Sequence, residues 1–181
     1  MTQRGGARLA EPVTARDHVR GPATARVTLV QYGDFQCPFS GEAWGIVLEL
    51  QRRHPNDLRY VFRNFPLSHV HPDAQGAAEA AEAAAAQGKF WEMYDTLFEN
   101  QRWLEEGDLL DYAANIGLDV ERFERESRAH AHAARVHKDV VSGRESSVQG
   151  TPTFFVNGVQ QGSPTDSDTM LAAFARALGQ P

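Results

Sequence analysis

The spacing of apolar residues changes period several times along this chain, and each change marks an element. Residues 27–32 (VTLVQY) are a short, β-branched, mostly apolar run between Pro22 and Gly33, which predicts a buried strand. Beyond Pro38, residues Ala43, Trp44, Val47, Leu48 and Leu50 recur at helical spacing until His54-Pro55-Asn56 breaks the pattern. A helix is therefore expected there, with Pro38 at its first position, where a missing N–H costs nothing. Residues 58–65 (LRYVFRNF) alternate apolar with polar and predict a second strand. A helix between two strands implies a parallel pair in a right-handed β-α-β unit.

From residue 70 to 142 helical spacing takes over. Pro72 and Asp73 open an alanine-rich helix that Gly88 should end, since alanine has the best helix propensity and glycine the best C-terminal stop. Residues 90–98 (FWEMYDTLF) carry aromatics and aliphatics at spacings of three and four. Residues 108–115, 120–127 and 130–142 read as further helices, with Gly117 and Gly143 as stops. The strand pattern returns at residues 153–156 (TFFV) and meets Asn157-Gly158, a strong hairpin turn, before residues 159–161. Residues 166–178 close the chain as a helix with Met170, Leu171, Phe174 and Leu178 on one face.

These elements suit a single domain over residues 16–181 with residues 70–145 as an inserted helical subdomain. Residues 1–15, rich in Gly, Arg and Ala without periodicity, are expected to be a disordered arm. The 41% hydrophobic content is that of an ordinary globular protein. A net charge of −6 with scattered basic residues excludes a polyanion-binding surface, so no nucleic-acid partner is expected. No apolar run approaches the ~18 residues of a membrane span. Neither that nor the opening residues, which lack the apolar core of a signal peptide, suggests a membrane partner, and a cytoplasmic location is expected. A single cysteine excludes an intramolecular disulfide and agrees with a reducing compartment.

That cysteine is the main candidate for chemistry. Cys37, within Asp34-Phe35-Gln36-Cys37-Pro38-Phe39-Ser40, stands between a predicted strand and a predicted helix. Backbone N–H groups and the positive end of a helix dipole favour a thiolate there, the form that attacks disulfides. Ser40 occupies the position where a second cysteine would complete a dithiol. Asp34 reads as a turn residue. The seven histidines show no ligand spacing completed by a carboxylate or a second thiol, so no metal is expected. Trp44, Trp91 and Trp103 read as core or groove-lining residues.

A thiol between strand and helix, a later parallel partner strand and a Thr-Pro before a hairpin together resemble the thioredoxin fold, an α/β architecture. The inserted helices resemble its DsbA-like branch. The resemblance is carried by residues 27–40 (VTLVQYGDFQCPFS), 90–101 (FWEMYDTLFENQ) and 150–158 (GTPTFFVNG), and it spans about residues 17–178. It implies that Cys37 is the nucleophile and that Pro152 is a cis-proline facing it, with Ser40 completing the catalytic set. It further implies that Pro38, Phe39, Thr151 and Val148 meet the substrate. The exposed backbone of Thr151 could add an extended peptide through main-chain hydrogen bonds.

Two departures shape the expected activity. Ser40 cannot form a disulfide, so the chain cannot store one and donate it. Gln31, six residues before Cys37, stands where relatives often carry a proton-accepting glutamate, which a chain lacking the second thiol does not need. The two changes fit a natural monothiol better than an engineered trap. A monothiol thiol-disulfide oxidoreductase is expected, with no resident cofactor. Its partner would be a disulfide-containing protein or peptide, or glutathione, and an external thiol such as glutathione would be co-substrate. Two alternatives stand beside it: a redox-inactive, thioredoxin-like peptide-binding module, and a kappa-like glutathione transferase. In that transferase class a serine replaces the first cysteine of the motif, the reverse of the arrangement here.

Overall fold

The two apolar runs flanking the first helix pair in parallel, as their connection requires. Strands β2 (Val27–Gly33) and β3 (Leu58–Asn64) run in register from Val27 opposite Leu58 to Gly33 opposite Asn64, joined by helix α1 (Pro38–Arg53). In the computed structural model, which describes residues 6–161 and 167–179, strands β1 (His18–Arg20), β4 (Thr153–Val156) and β5 (Val159–Gln161) complete a sheet. Its order is β1-β3-β2-β4-β5, with only the β2–β3 pair parallel. The Asn157-Gly158 turn joins β4 to β5 with φ of 47° and 80°, the left-handed pair a two-residue hairpin needs.

Between β3 and β4 stand helices α2 (Ala74–Ala85), α3 (Phe90–Glu99), α4 (Glu106–Asn115), α5 (Val120–Arg128) and α6 (Ala133–Glu145). Helix α7 (Ser167–Ala177) packs on β4 and β5; the Asp166 start expected for it lies outside the described residues. Both sheet faces are covered, which explains why β2 reads as a mostly apolar run. Leu29, Tyr60, Phe62, Phe154 and Val156 belong to the large core with α1, α3 and α7. Val30, Tyr32, Val61 and Phe155 face the other side, with Val148 of the segment after α6 and with Leu9 and Val13.

The helical block is fastened to the sheet by polar groups. Asn64, at the end of β3, donates its amide to Glu82 of α2 (2.7 Å), and its N–H to Asp139 of α6 (2.9 Å). Glu82 also meets His18 Nε2 of β1 (2.9 Å), and Arg135 pairs with Asp139. On the opposite face Arg63 donates to Asp17 (2.7 Å), to the Tyr32 hydroxyl (2.9 Å) and to the carbonyls of Glu11 and Pro12 (both 3.2 Å). Burial pushes the Asp17 carboxyl up, but hydrogen bonds from Arg63 and the Thr14 backbone outweigh it and hold the group below the usual carboxylate range.

Four features depart from the sequence expectations. Residues 6–15 are tied down: Leu9 N–H donates to Gly158 O (2.9 Å), Gln160 N–H to Ala7 O (2.8 Å) and Ala10 N–H to Ser146 Oγ (3.0 Å). Strand β1 went unseen because its three residues (HVR) are too few to establish a period and pair only along the sheet edge. Helix α6 begins at Ala133, since His130 at φ 48° breaks the chain direction. Gly143 is not a stop but an interior residue of α6, where a Cβ would lie 2.7 Å from the Phe65 ring. By contrast, a Cβ on Gly76 in α2 would meet only Leu109 Cδ1 at 3.9 Å, so this glycine forgoes roughly 1 kcal/mol of helix propensity without a packing need.

Two outcomes follow for urea denaturation. Gly143→Ala should lose about 1–3 kcal/mol by overpacking, whereas Gly76→Ala should gain up to ~1 kcal/mol. The depressed Asp17 pKa means that the unfolded chain binds the proton more readily. Its stabilisation is therefore present above the unfolded carboxyl pKa of about 4 and is lost as pH falls through the folded value. Asp17→Asn should cost of the order of 3–5 kcal/mol at neutral pH by leaving Arg63 buried without its counter-charge, and should flatten the acid limb of the stability curve.

Candidate active site

Strand β2 ends at Gly33 and the chain turns once before α1. The Cys37 N–H donates to Asp34 O (3.2 Å), and Cys37, at φ −74° and ψ 121°, is the N-cap with Pro38 following at the helix start. No acidic residue lies in the first turn of α1, so the positive end of the helix dipole at Cys37 is not offset by a carboxylate in that turn. Gln101, after α3, donates to the carbonyls of Phe35 (2.8 Å) and Cys37 (2.9 Å) and braces the turn. Gly41 permits this approach, since a Cβ there would fall 2.1 Å from Gln101 Oε1.

Cys37 is buried, with 4% of the residue exposed. Cys37 Sγ donates to Thr151 O at 3.3 Å, and the Thr151-Pro152 peptide bond is cis, as expected. Both the thiol and the Thr-Pro turn sit where paired strands end: Tyr32 of β2 lies opposite Thr153 of β4. Val148 is buried among Val30, Tyr32 and Phe155. The Thr151 hydroxyl is buried and has no partner among the described residues.

Ser40 is placed differently from a resolving thiol. Its hydroxyl is buried and accepts the Asp34 N–H at 3.3 Å, which makes it part of the turn. Gln31 also joins a neutral group: the Tyr60 hydroxyl donates to Gln31 Oε1 (2.8 Å) and meets the Tyr94 hydroxyl (2.8 Å). Burial pushes both tyrosines up, so this chain of bonds stays uncharged. Among the described residues no group of three His, Cys, Asp or Glu could hold a metal ion.

The sequence understated Asp34. Its carboxylate is buried and accepts the N–H of Gln36 (2.8 Å), the N–H of Leu67 (2.9 Å) and His71 Nδ1 (2.7 Å). Gln36 in turn exchanges two bonds with Asp73, at 2.8 and 2.7 Å. Together these fasten the loop of residues 65–73 to the thiol's turn. A turn-forming aspartate carries no sequence mark of partners more than 30 positions away.

Among the described residues the exposed large apolar side chains are Phe39 (48%), Val70 (58%) and Trp103 (64%). All three lie on segments tied to the thiol's turn. Phe39 follows the thiol by two positions, Val70 rides on the loop that Asp34 holds, and Trp103 lines a cleft of about 670 Å³ with Gln36, Pro38 and Glu42. Single exposed apolar residues need no explanation, and what sets these three apart is that their segments are tied to one turn.

Residues 14–175 match the family described as Thioredoxin. Among solved structures the chain is similar to BdbD from Bacillus subtilis in its oxidised form, with 25% identity, a TM-score of 0.84 and coverage of 96% of this chain and 99% of that one. It is also similar to a thioredoxin-like oxidoreductase from Silicibacter pomeroyi, with 26% identity, a TM-score of 0.76 and coverage of 93% and 95%. Among curated proteins it is 49% identical to Na(+)/H(+) antiporter NhaA 3 of Salinispora tropica, over 92% of this chain and 26% of that protein. Na(+)/H(+) antiporter NhaA 1 of Salinispora arenicola is likewise 49% identical, over 90% and 25%. The chain thus spans about a quarter of the length of these curated relatives.

The relatives correct the expected location. DsbA- and BdbD-type oxidoreductases are extracytoplasmic, and the cytoplasmic assignment does not stand. Its premise was weak in physical terms, because a lone cysteine forms no internal disulfide in any compartment and so reports none. No described helix is long and apolar enough to cross a membrane.

The Asp34 carboxylate yields a test. Asp34→Ala should cost about 2–4 kcal/mol in urea denaturation, because two backbone N–H groups lose their buried acceptor. Limited proteolysis should then cut within residues 65–73 faster than in the parent chain.

Proposed function

The chain belongs to the thioredoxin family, as a DsbA-like domain with a single active-site cysteine, and from that membership we propose that it is a monothiol thiol-disulfide exchange protein. The observation that carries this reading is the Cys37 thiol at the start of α1, bonded to Thr151 O across the site. A thiol at a helix N-terminus beside a backbone carbonyl suits attack on a disulfide presented by an extended segment.

The reaction is two exchanges. Cys37, having lost its proton to solvent, attacks one sulfur of a disulfide R–S–S–R′; the new bond is Cys37–S–S–R and the electron pair leaves with R′S⁻. An external thiolate, for which glutathione is a suitable class, then attacks the mixed disulfide and releases Cys37 as thiolate. Ser40 takes no part in electron transfer and holds the turn through Asp34. Phe39, Val70 and Trp103 supply the apolar surface on which the partner sits, with Pro38, Thr151 and Pro152 next to its sulfur.

One observation favours a second reading. Proteins 49% identical to this chain are named Na(+)/H(+) antiporters, and the similarity occupies about a quarter of their length. In this reading the domain is a binding module for an antiporter-type membrane protein and uses the same apolar face without redox turnover.

Oxidised glutathione separates the two. The exchange protein should gain one glutathionyl adduct on Cys37 by intact-mass spectrometry, reversed by reduced glutathione, and Cys37→Ala should gain none. Absence of an adduct on a folded protein would sink the exchange reading. The binding-module reading instead requires that Cys37→Ala bind its partner as tightly as the parent chain.

A further inference from the structure

A second cavity, which Cys37 does not line, lies between α2, α4 and α5, with a volume of about 420 Å³. Its apolar wall is made of Leu104, Leu109 and Phe123, all buried. Against that wall α2 sets Glu79, a carboxylate only 5% exposed. One oxygen of Glu79 accepts from Gln75 Nε2 (2.8 Å) and the other meets His130 Nδ1 (3.1 Å). His130 reaches it from a left-handed backbone at φ 48°, and its side chain is 75% exposed. It is therefore a loosely seated partner for a deeply seated acid.

The rim is acidic in balance. Asp73, Glu79, Glu106 and Glu124 face Arg128 and His130, and Arg128 already pairs with both Glu124 (2.5 Å) and Glu106 (3.7 Å). Gly76 adds an independent observation. It lies on the face of α2 that carries Asp73 and Glu79, three residues from each. Its φ is not left-handed and its nearest neighbour across the cavity is Leu109 Cδ1 at 3.9 Å, so neither backbone nor packing calls for glycine. In a helix otherwise made of Ala, Glu and Gln, helix propensity is forgone at a position where a side chain would overhang the cavity.

We propose that this cavity binds a small protonated amine carried on an apolar body. The ammonium sits on Glu79, in the place the His130 imidazole takes in the free protein, and the body lies on Leu104, Leu109 and Phe123. A cavity of this volume lies within the ~300–1,000 Å³ typical of small-molecule sites. An apolar wall with one deep carboxylate selects a cation over a neutral or anionic ligand of the same shape, because a buried acid gains most from a desolvated counter-charge. The proposal does not depend on Cys37.

The test is titration of n-hexylammonium chloride into the ¹⁵N-labelled protein, read by amide shifts. Saturable shifts are expected at Gly76, Glu79, Leu109 and Phe123, and n-hexanol and hexanoate should bind at least about tenfold more weakly, roughly the worth of one charge-assisted contact. Gly76→Leu should fold with a raised melting temperature and lose about tenfold or more in hexylammonium affinity. Glu79→Gln should lose the preference for amine over alcohol, and Cys37→Ala should bind as the parent does. The proposal is overturned if no saturable shift appears, if hexanol binds as tightly as hexylammonium, or if Gly76→Leu keeps full affinity.

Discussion

The site depends on the antiparallel pairing of β2 with β4. Because Tyr32 lies opposite Thr153, the chain leaving β2 and the chain entering β4 come from the same end of the sheet. A turn after one strand and a turn before the other must then meet, and they do so as Cys37 Sγ on Thr151 O. The rest of the architecture keeps that meeting fixed. Helix α1 can start at Cys37 only because Asp34 closes the turn, and Asp34 is itself held by the loop of residues 65–73. A thiol 114 positions from its acceptor is thus placed by ladder register, which tolerates no slip because a shift of one residue exchanges the two sheet faces.

Around the thiol the chemistry is subtractive. A dithiol site needs a second sulfur and a way to move its proton, and neither is built here. Ser40 is spent on the Asp34 N–H, and Gln31 is spent on Tyr60 in a buried chain of neutral groups. A carboxylate at position 31 would bring a charge into that enclosure, where the tyrosines beside it are already pushed up by burial. The neutral amide suits a core that has no proton to manage. What persists is the part needed for attack by an outside thiolate: the helix start, the adjacent carbonyl and the apolar border.

The sequence carried the local elements and the pairing logic because these follow from periodicity and turn chemistry. Residues 27–33, the Asn157-Gly158 turn and the helix after Pro38 each state their own conformation. The Thr151-Pro152 turn opposite Cys37 became readable through resemblance. Long-range polar partners were not readable, since Asp34 bonding Leu67 and His71, or Gln36 bonding Asp73, leaves no pattern in composition or spacing. The same blindness hid β1 and the tethering of residues 6–15, whose pairing is settled by edges of the sheet that local sequence does not describe. Gly143 misled for the opposite reason: it looks like a stop, but it is glycine because Phe65 occupies the space a Cβ would need.

Helix α2 shows how an alanine-rich segment can still have one docked position. A smooth alanine face packs at many offsets with little difference in buried area, so apolar contact alone would leave its register loose. Its buried carboxylates remove that freedom. Glu82 must meet His18 and Asn64, Glu79 must meet His130, and Asp73 at the helix start must meet Gln36 beside the thiol. A slide of one residue would leave acids buried without partners, at several kcal/mol each, so a single register survives. The small side chains bring the helix close, and the acids decide where it stops. By fixing α2 at its start and along its buried face, they tie the thiol's turn, the sheet end and the α2–α4–α5 cavity to one rigid element.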